Sequence, residues 1–170
     1  MKLPIVDEND VEIGLKERDH LAEGDIYRVT ALWLTNSKGD ILIAQRAFTK
    51  RHDPGKWGPA VAGTVEEGET YETSIVKEIE EELGVSMVLS DLRKGPKIKK
   101  PGHNAHFGQW YLATLDKSID EFDYQKEEVV ALRWISPAAL RQSIQNNPED
   151  FVSSIPYWID TFLPTPATVL

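Results

Sequence analysis

The sequence predicts an α/β (α+β) fold, a mixed central sheet with helices packed on it, within one domain. Three observations carry that prediction. Short runs rich in β-branched and aromatic residues recur along the chain, at 27–35, 41–46, 107–115 and 129–135. Between them lies an amphipathic segment, 70–83, closed by Gly84. The chain has 170 residues, 41% hydrophobic and 28% charged, which suits one globular domain with a conventional core. The expected layout is a single domain over 1–170, with a core at about 27–146, an N-terminal strand or extension at 1–26 and a C-terminal helix at 149–163.

Each element has a local reason. Tyr27–Thr35 and Ile41–Arg46 flank Asn36-Ser37-Lys38-Gly39-Asp40, whose turn chemistry predicts a β-hairpin. A polar loop, 47–56, leads to a short strand at 57–62, and a second loop, 63–69, leads to the helix. Thr70 is its N-cap; with Thr73 rather than a glutamate three residues on, no capping box is expected. Strands follow at 85–89 and 107–115, separated by the basic run Arg93-Lys94-Gly95-Pro96-Lys97-Ile98-Lys99-Lys100, read as a solvated loop or, alternatively, as a cluster that steers phosphate. After a strand at Val129–Ile135, Ser136-Pro137 starts a helix that Asn147-Pro148 stops. Pro156 kinks the last helix or delays its start, and Pro164-Thr165-Pro166 reads as a loose tail.

Composition excludes several classes of function. The absence of cysteine rules out disulfides, zinc-thiolate sites, iron–sulfur clusters and a thiol nucleophile, and fits a cytoplasmic location. Residues 1–8 lack the apolar stretch of a leader, and no run approaches the roughly 18 apolar residues of a membrane span. A net charge of −9 argues against nucleic-acid polymers and anionic membranes as partners. Eight glutamates and one lysine lie between Glu66 and Glu82, so the rest of the chain carries only −2.

Helical spacing makes that acidic segment specific. At about 100° per residue, Glu78, Glu81 and Glu82 share an arc of about 100° beside the apolar face formed by Ile75, Ile79 and Leu83, and Glu80 points elsewhere. Such crowding is tolerated on a solvated face, or used to bind a divalent cation. Hard oxygen donors favour magnesium or manganese over zinc.

The run from Gly63 to Val85 resembles the Nudix box, G-x5-E-x7-R-E-U-x-E-E-x-G-U with U apolar, in Gly63, Glu69, Glu78, Ile79, Glu81, Glu82, Gly84 and Val85. Lys77 replaces the pattern's arginine; an ammonium is a point charge where a guanidinium is a fork, so looser glutamate positioning is expected. The resemblance implies a Nudix α/β/α sandwich and metal-dependent hydrolysis of a nucleoside diphosphate linked to another group, or of a related diphosphate compound, by water attack on phosphorus. It implies Mg2+, with Mn2+ as a substitute, held by Glu78, Glu81 and Glu82 with the Gly63 carbonyl as a fourth ligand, and assigns Glu69 a structural or outer-sphere place. The implied partner is a small-molecule diphosphate, and the protein is expected as a monomer or homodimer.

Upstream, 33–50 and Pro54-Gly55-Lys56-Trp57 resemble the isopentenyl-diphosphate isomerase branch of that superfamily. The resemblance implies diphosphate binding by Arg46 and Lys50 and a pocket position for Trp158. The isomerase chemistry does not carry over. Ala62 stands where that branch has its catalytic cysteine and Thr64 where it has a histidine; His20 matches a metal histidine, but Tyr27 stands at the second. Its acidic pair falls near Asn104 and His106. The expected proton acceptors are Glu78 and, from the loop before 129–135, Glu128 or Glu127. His103 and His106 are candidates for phosphate contact, or ordinary surface histidines. The alternative to hydrolysis is a non-catalytic module that binds a nucleotide or isoprenoid diphosphate; isomerase activity is not expected.

Overall fold

Alternation along two central strands sends side chains to opposite faces of one sheet, and each face is covered by helices. The computed structural model describes residues 1–163, so the tail at 164–166 lies outside the described residues. β1 (Lys2–Val6) and β2 (Glu12–Glu17) pair antiparallel as a separate two-stranded sheet. The N-terminal segment thus holds a hairpin where one strand or an extension was expected. The main sheet contains β3 (Tyr27–Thr35), β4 (Ile41–Arg46), β5 (Trp57–Pro59), β6 (Val61–Thr64), β7 (Arg93–Lys100), β8 (His106–Thr114) and β9 (Val129–Ile135). The helices are α1 (Tyr71–Leu83), α2 (Pro137–Asn146) and α3 (Ile155–Phe162).

β3 runs parallel to β8 from Tyr27↔His106 to Thr35↔Thr114, and β7 adds antiparallel to β8. The expected β3–β4 hairpin closes with one pair, Thr35↔Ile41, and then the strands splay. The segment 57–64 fills the fork: β5 pairs with β4, and β6 pairs with β3. The single strand expected at 57–62 is therefore two, divided at Ala60. β9 covers the other edge of β4.

Leu32, Leu34 and Leu42 pack against Ile75, Ile79 and Leu83 of α1 on one face. On the other, Trp33, Ile41 and Ile43 pack against Leu140 of α2 and Ile155, Trp158 and Ile159 of α3. The period-2 alternation of the strands and the helical period of α1 thus build the expected helix–sheet–helix sandwich.

Other expectations are corrected. The basic run 93–100 is a strand laddered antiparallel on β8, and its lysines meet acids distant in sequence: Lys94 pairs with Glu72, Lys97 with Asp10 and Lys99 with Glu8. Segment 85–89 is not a strand; no strand pairs with it among the described residues, and it runs into a 3-10 turn at Leu89–Asp91 with Val88 exposed. α1 does carry a capping box. Thr70 Oγ1 accepts from the Thr73 N–H at 3.2 Å, and Thr73 Oγ1 accepts from the Thr70 N–H at 2.9 Å, so a hydroxyl does what a glutamate usually does. The helix expected at 149–163 is α3 preceded by a 3-10 turn, Pro148–Asp150, and a bridge from Phe151 to Trp57. Pro156 sits in the first turn of α3, where its missing N–H costs no hydrogen bond.

Candidate active site

Helix α1 buries Ile75, Ile79 and Leu83, which turns the adjoining edge with Glu78, Glu81 and Glu82 into a cleft of about 770 Å3. Strand β6 runs alongside. A Cβ on Gly63 would lie 2.1 Å from Glu78 Cδ, so glycine is what lets this carboxyl rest against the strand. Glu82 accepts from the Ala62 N–H at 3.1 Å. Glu81 is exposed at the rim.

Burial and mutual repulsion set the state of these groups. Glu78 is pushed up to about 7, by desolvation first and then by Glu81, Glu69 and Glu128, against the opposing pull of Lys77. Glu82 is pushed up to about 8 by desolvation and by Glu78, although the Ala62 N–H and Arg46 pull the other way. Lys77 lies 2.6 Å from Glu69, 3.2 Å from Glu66 and 3.9 Å from Glu78. One ammonium thus gathers three carboxylates without a fork. Burial pushes Glu69 upward, but Lys77 and the Glu66 N–H outweigh it and hold its carboxyl below the usual range. Glu69 is therefore a strut between the loop and the helix.

The cleft also receives Arg46, Lys50, Glu128 and Trp158. Arg46 Nε donates to the His52 carbonyl at 3.1 Å. Lys50 and Glu128, 78 residues apart, form an ion pair. Glu127 is exposed and does not line the cleft. Trp158 is 7% exposed, lies 4.7 Å from Trp110 between ring centroids, and donates from Nε1 to Ser154 Oγ at 3.1 Å. It combines a core position with an edge on the cleft wall. Gly63, Glu78, Glu81, Glu82, Arg46, Lys50, Glu128 and Trp158 all line this one cavity, whereas Glu127 and Glu69 do not. His106, held below its usual range by burial, packs on Tyr27 with ring centroids 5.5 Å apart, and His103 lies at the rim. Ala62 and Thr64 line the same wall, so the positions of the isomerase's acid chemistry hold a methyl group and a hydroxyl.

Sequence reasoning missed Arg18 and His52, which also line the cleft, as does Lys100 from the end of the basic run. Arg18 arrives on a 3-10 turn, Arg18–His20, after the N-terminal hairpin. No local pattern marks Arg18 or His52.

The donor set fits a hard divalent cation. Glu78, Glu81 and Glu82 offer only oxygens, two of these carboxyls are raised by burial and then by neighbouring carboxylates, and a cation would relieve both desolvation and repulsion. Among the described residues, no three acidic or histidine side chains already converge tightly enough to enclose an ion.

The family profile for the NUDIX domain matches residues 26–155. The chain belongs to the Nudix family. It is 30% identical over 141 residues to an uncharacterized Nudix hydrolase of Listeria monocytogenes, covering 81% of each protein. A prenyl-diphosphate phosphatase of Methanosarcina mazei is 26% identical over 151 residues, with 88% of each covered. An isopentenyl-diphosphate Delta-isomerase of Streptomyces coelicolor is 38% identical over 144 residues, covering 82% of this chain and 73% of that one. The crystal structure of DR0079 from Deinococcus radiodurans superposes with a TM-score of 0.79 at 24% identity, covering 97% of this chain and all of that one, and shows the same fold. As a Nudix hydrolase the protein acts on acid anhydrides in phosphorus-containing compounds. Nudix hydrolases act on small diphosphate molecules and generally use divalent metals.

Proposed function

We propose that the protein is a metal-dependent pyrophosphohydrolase that cleaves a nucleoside diphosphate linked to a second group, or a related diphosphate compound, by water attack on phosphorus. One observation carries this reading: carboxylates Glu78, Glu81 and Glu82 share a single cleft with the cations Arg46 and Lys50. Glu78, Glu81, Glu82 and the Gly63 carbonyl would hold Mg2+, or Mn2+ in its place. When bound, the cation offsets phosphate charge and lowers the pKa of a water. Arg46 and Lys50 bind the phosphate oxygens, Arg46 having no carboxylate partner among the described residues. Phosphate oxygens compete with Glu128 for Lys50 and so free the Glu128 carboxylate. Glu128 or Glu78 takes the proton of the attacking water as the phosphorus–oxygen anhydride bond breaks.

A second substrate class has its own support. The cleft wall includes Ile98, Trp110, Val152 and Trp158, an apolar lining suited to a hydrocarbon chain, and one relative is named a prenyl-diphosphate phosphatase. Isomerase activity lacks its acid: Ala62 and Thr64 cannot protonate an alkene.

Phosphate release is the deciding measurement, with and without Mg2+ or Mn2+, across nucleoside di- and triphosphates, nucleotide sugars, dinucleotides and isoprenoid diphosphates. Metal-dependent turnover that falls by roughly 10²-fold or more in Glu82→Gln is expected. Ligand binding without turnover on any compound would make the protein a binding module.

A further inference from the structure

The mouth of the cleft, opposite α1, is built from three segments that converge on His52. The turn Arg18–His20 is tied to the loop 47–56 by Arg51, which lies 2.5 Å from Asp19. Asn104, from the turn between β7 and β8, has Nδ2 3.5 Å from His52 Nδ1. Lys100, at the end of β7, donates to the His103 carbonyl at 2.5 Å and lies 5.6 Å from the centroid of the Tyr157 ring. Arg18, Lys100, His103 and Arg46 all face the cavity from this rim.

The charges at this end do not cancel. Among the described residues Arg18, Arg46 and Lys100 have no carboxylate in ion-pair range. The nearby acids serve elsewhere: Asp19 holds Arg51, Asp53 holds Lys56 and the Ser153 N–H, and Glu17 holds the N-terminal amine. Three cations without a carboxylate in ion-pair range thus border one opening in a chain of net charge −9. His52 reports the same field. Burial and then Arg18, Arg51, Arg46 and His103 hold its pKa below the ordinary value. Arg46 accounts for only one of these cations in the proposed hydrolysis. Arg18 lies outside the matched NUDIX segment 26–155 and is supplied by the N-terminal hairpin.

We infer that this mouth is a second anion site, in which Arg18, Lys100 and His103 bind a further phosphate group beyond the pyrophosphate held by Arg46 and Lys50. The inference rests on the proposed function for the placement of that pyrophosphate. The substrate class is thereby narrowed to compounds with three or more phosphates, or with a phosphomonoester on the group beyond the anhydride. Guanidinium and ammonium donors are suited to such an oxyanion, and the open rim admits a longer ligand.

Titration calorimetry of the full chain with inorganic pyrophosphate and tripolyphosphate, in excess EDTA, reads the cations without any hydrolysis. Tripolyphosphate is expected to bind at least tenfold more tightly. Arg18→Gln should reduce that preference to less than threefold while changing pyrophosphate affinity by less than twofold, and Lys100→Gln should act in the same direction. Lys38→Gln, an exposed cation in the β3–β4 turn, should alter neither. Equal affinity for the two anions, no binding of either, an equal loss for both in Arg18→Gln, or an equal effect from Lys38→Gln would each overturn the inference. Metal-dependent turnover without the preference sinks the second site alone. The preference without turnover sinks the hydrolase reading alone.

Discussion

Glutamates on and just before one helix live under opposite electrostatic regimes. Around the first turns of α1, Glu69 and Glu72 lie beside Lys77 and Lys94 and are held below the usual carboxylate range. Toward its end, Glu78 and Glu82 sit in a cleft and are raised to about 7 and about 8. Residue type and helix are the same; cation contact and burial differ. The first group trades charge for rigidity, whereas the second stores unfavourable charge that a cation can discharge.

That contrast can be broken from the cleft side by Gly63→Ala. The added methyl would overlap the Glu78 carboxyl, with contacts of 2.1 to 2.4 Å. Displacing one acid by about 1 Å should lower kcat by roughly 100-fold while leaving the pairing of Lys77 with Glu69 intact. Steady-state kinetics beside a thermal melt separates this from misfolding. A normal kcat would show that Glu78 need not rest on β6.

The contrast is sharpened by pH. Glu78 and Glu82 have folded-state pKa values of about 7 and about 8 against 4.5 ordinarily, so the folded protein binds more protons than the unfolded one between those values. Stability must therefore fall as pH rises from about 5 to about 8, by on the order of 5–10 °C in Tm. Melts in EDTA across this range test the sign. Millimolar Mg2+ should flatten the curve, since protons and cation compete for the same carboxylates. A Tm that rises steadily to pH 8 in EDTA would contradict it.

The smallest effect comes from the first group. Lys77→Ala leaves Glu66 and Glu69 without their cation; because these side chains are 20–35% exposed, the cost should be about 1–2 kcal/mol in a denaturant titration. Lys77→Arg should retain the stability. A loss below a few tenths of a kcal/mol in Lys77→Ala would mean the strut carries little.

What was readable in the sequence follows the range of the interaction. The edge position of Glu78, Glu81 and Glu82 is a consequence of helical spacing beside Ile75, Ile79 and Leu83, and required no tertiary information. The strand nature of 93–100 did. Its lysines look like loop composition until Glu8, Asp10 and Glu72 arrive from elsewhere to pair with them. Segment 85–89 errs the other way: its residues suit a strand, but among the described residues no strand lies beside it. The Lys50–Glu128 pair and the arrival of Arg18 at the cleft join residues far apart in the chain, and no local pattern encodes them. Thr73 stands where a capping box usually has glutamate, so the sequence does not announce one, although its hydroxyl makes the same reciprocal bond.

The aromatic cluster behind the cleft has an optical consequence. Trp110 and Trp158 lie with their ring centroids 4.7 Å apart, are 4% and 7% exposed, and both reach the cavity wall, while Trp33 stacks on Phe162 behind them. Two of the five tryptophans in the chain thus sit where an occupant alters their polarity and quenching. Intrinsic emission becomes a label-free gauge of what enters, sensitive to hydrocarbon chains and nucleobases that touch the indoles and nearly blind to inorganic phosphates that stay among the cations.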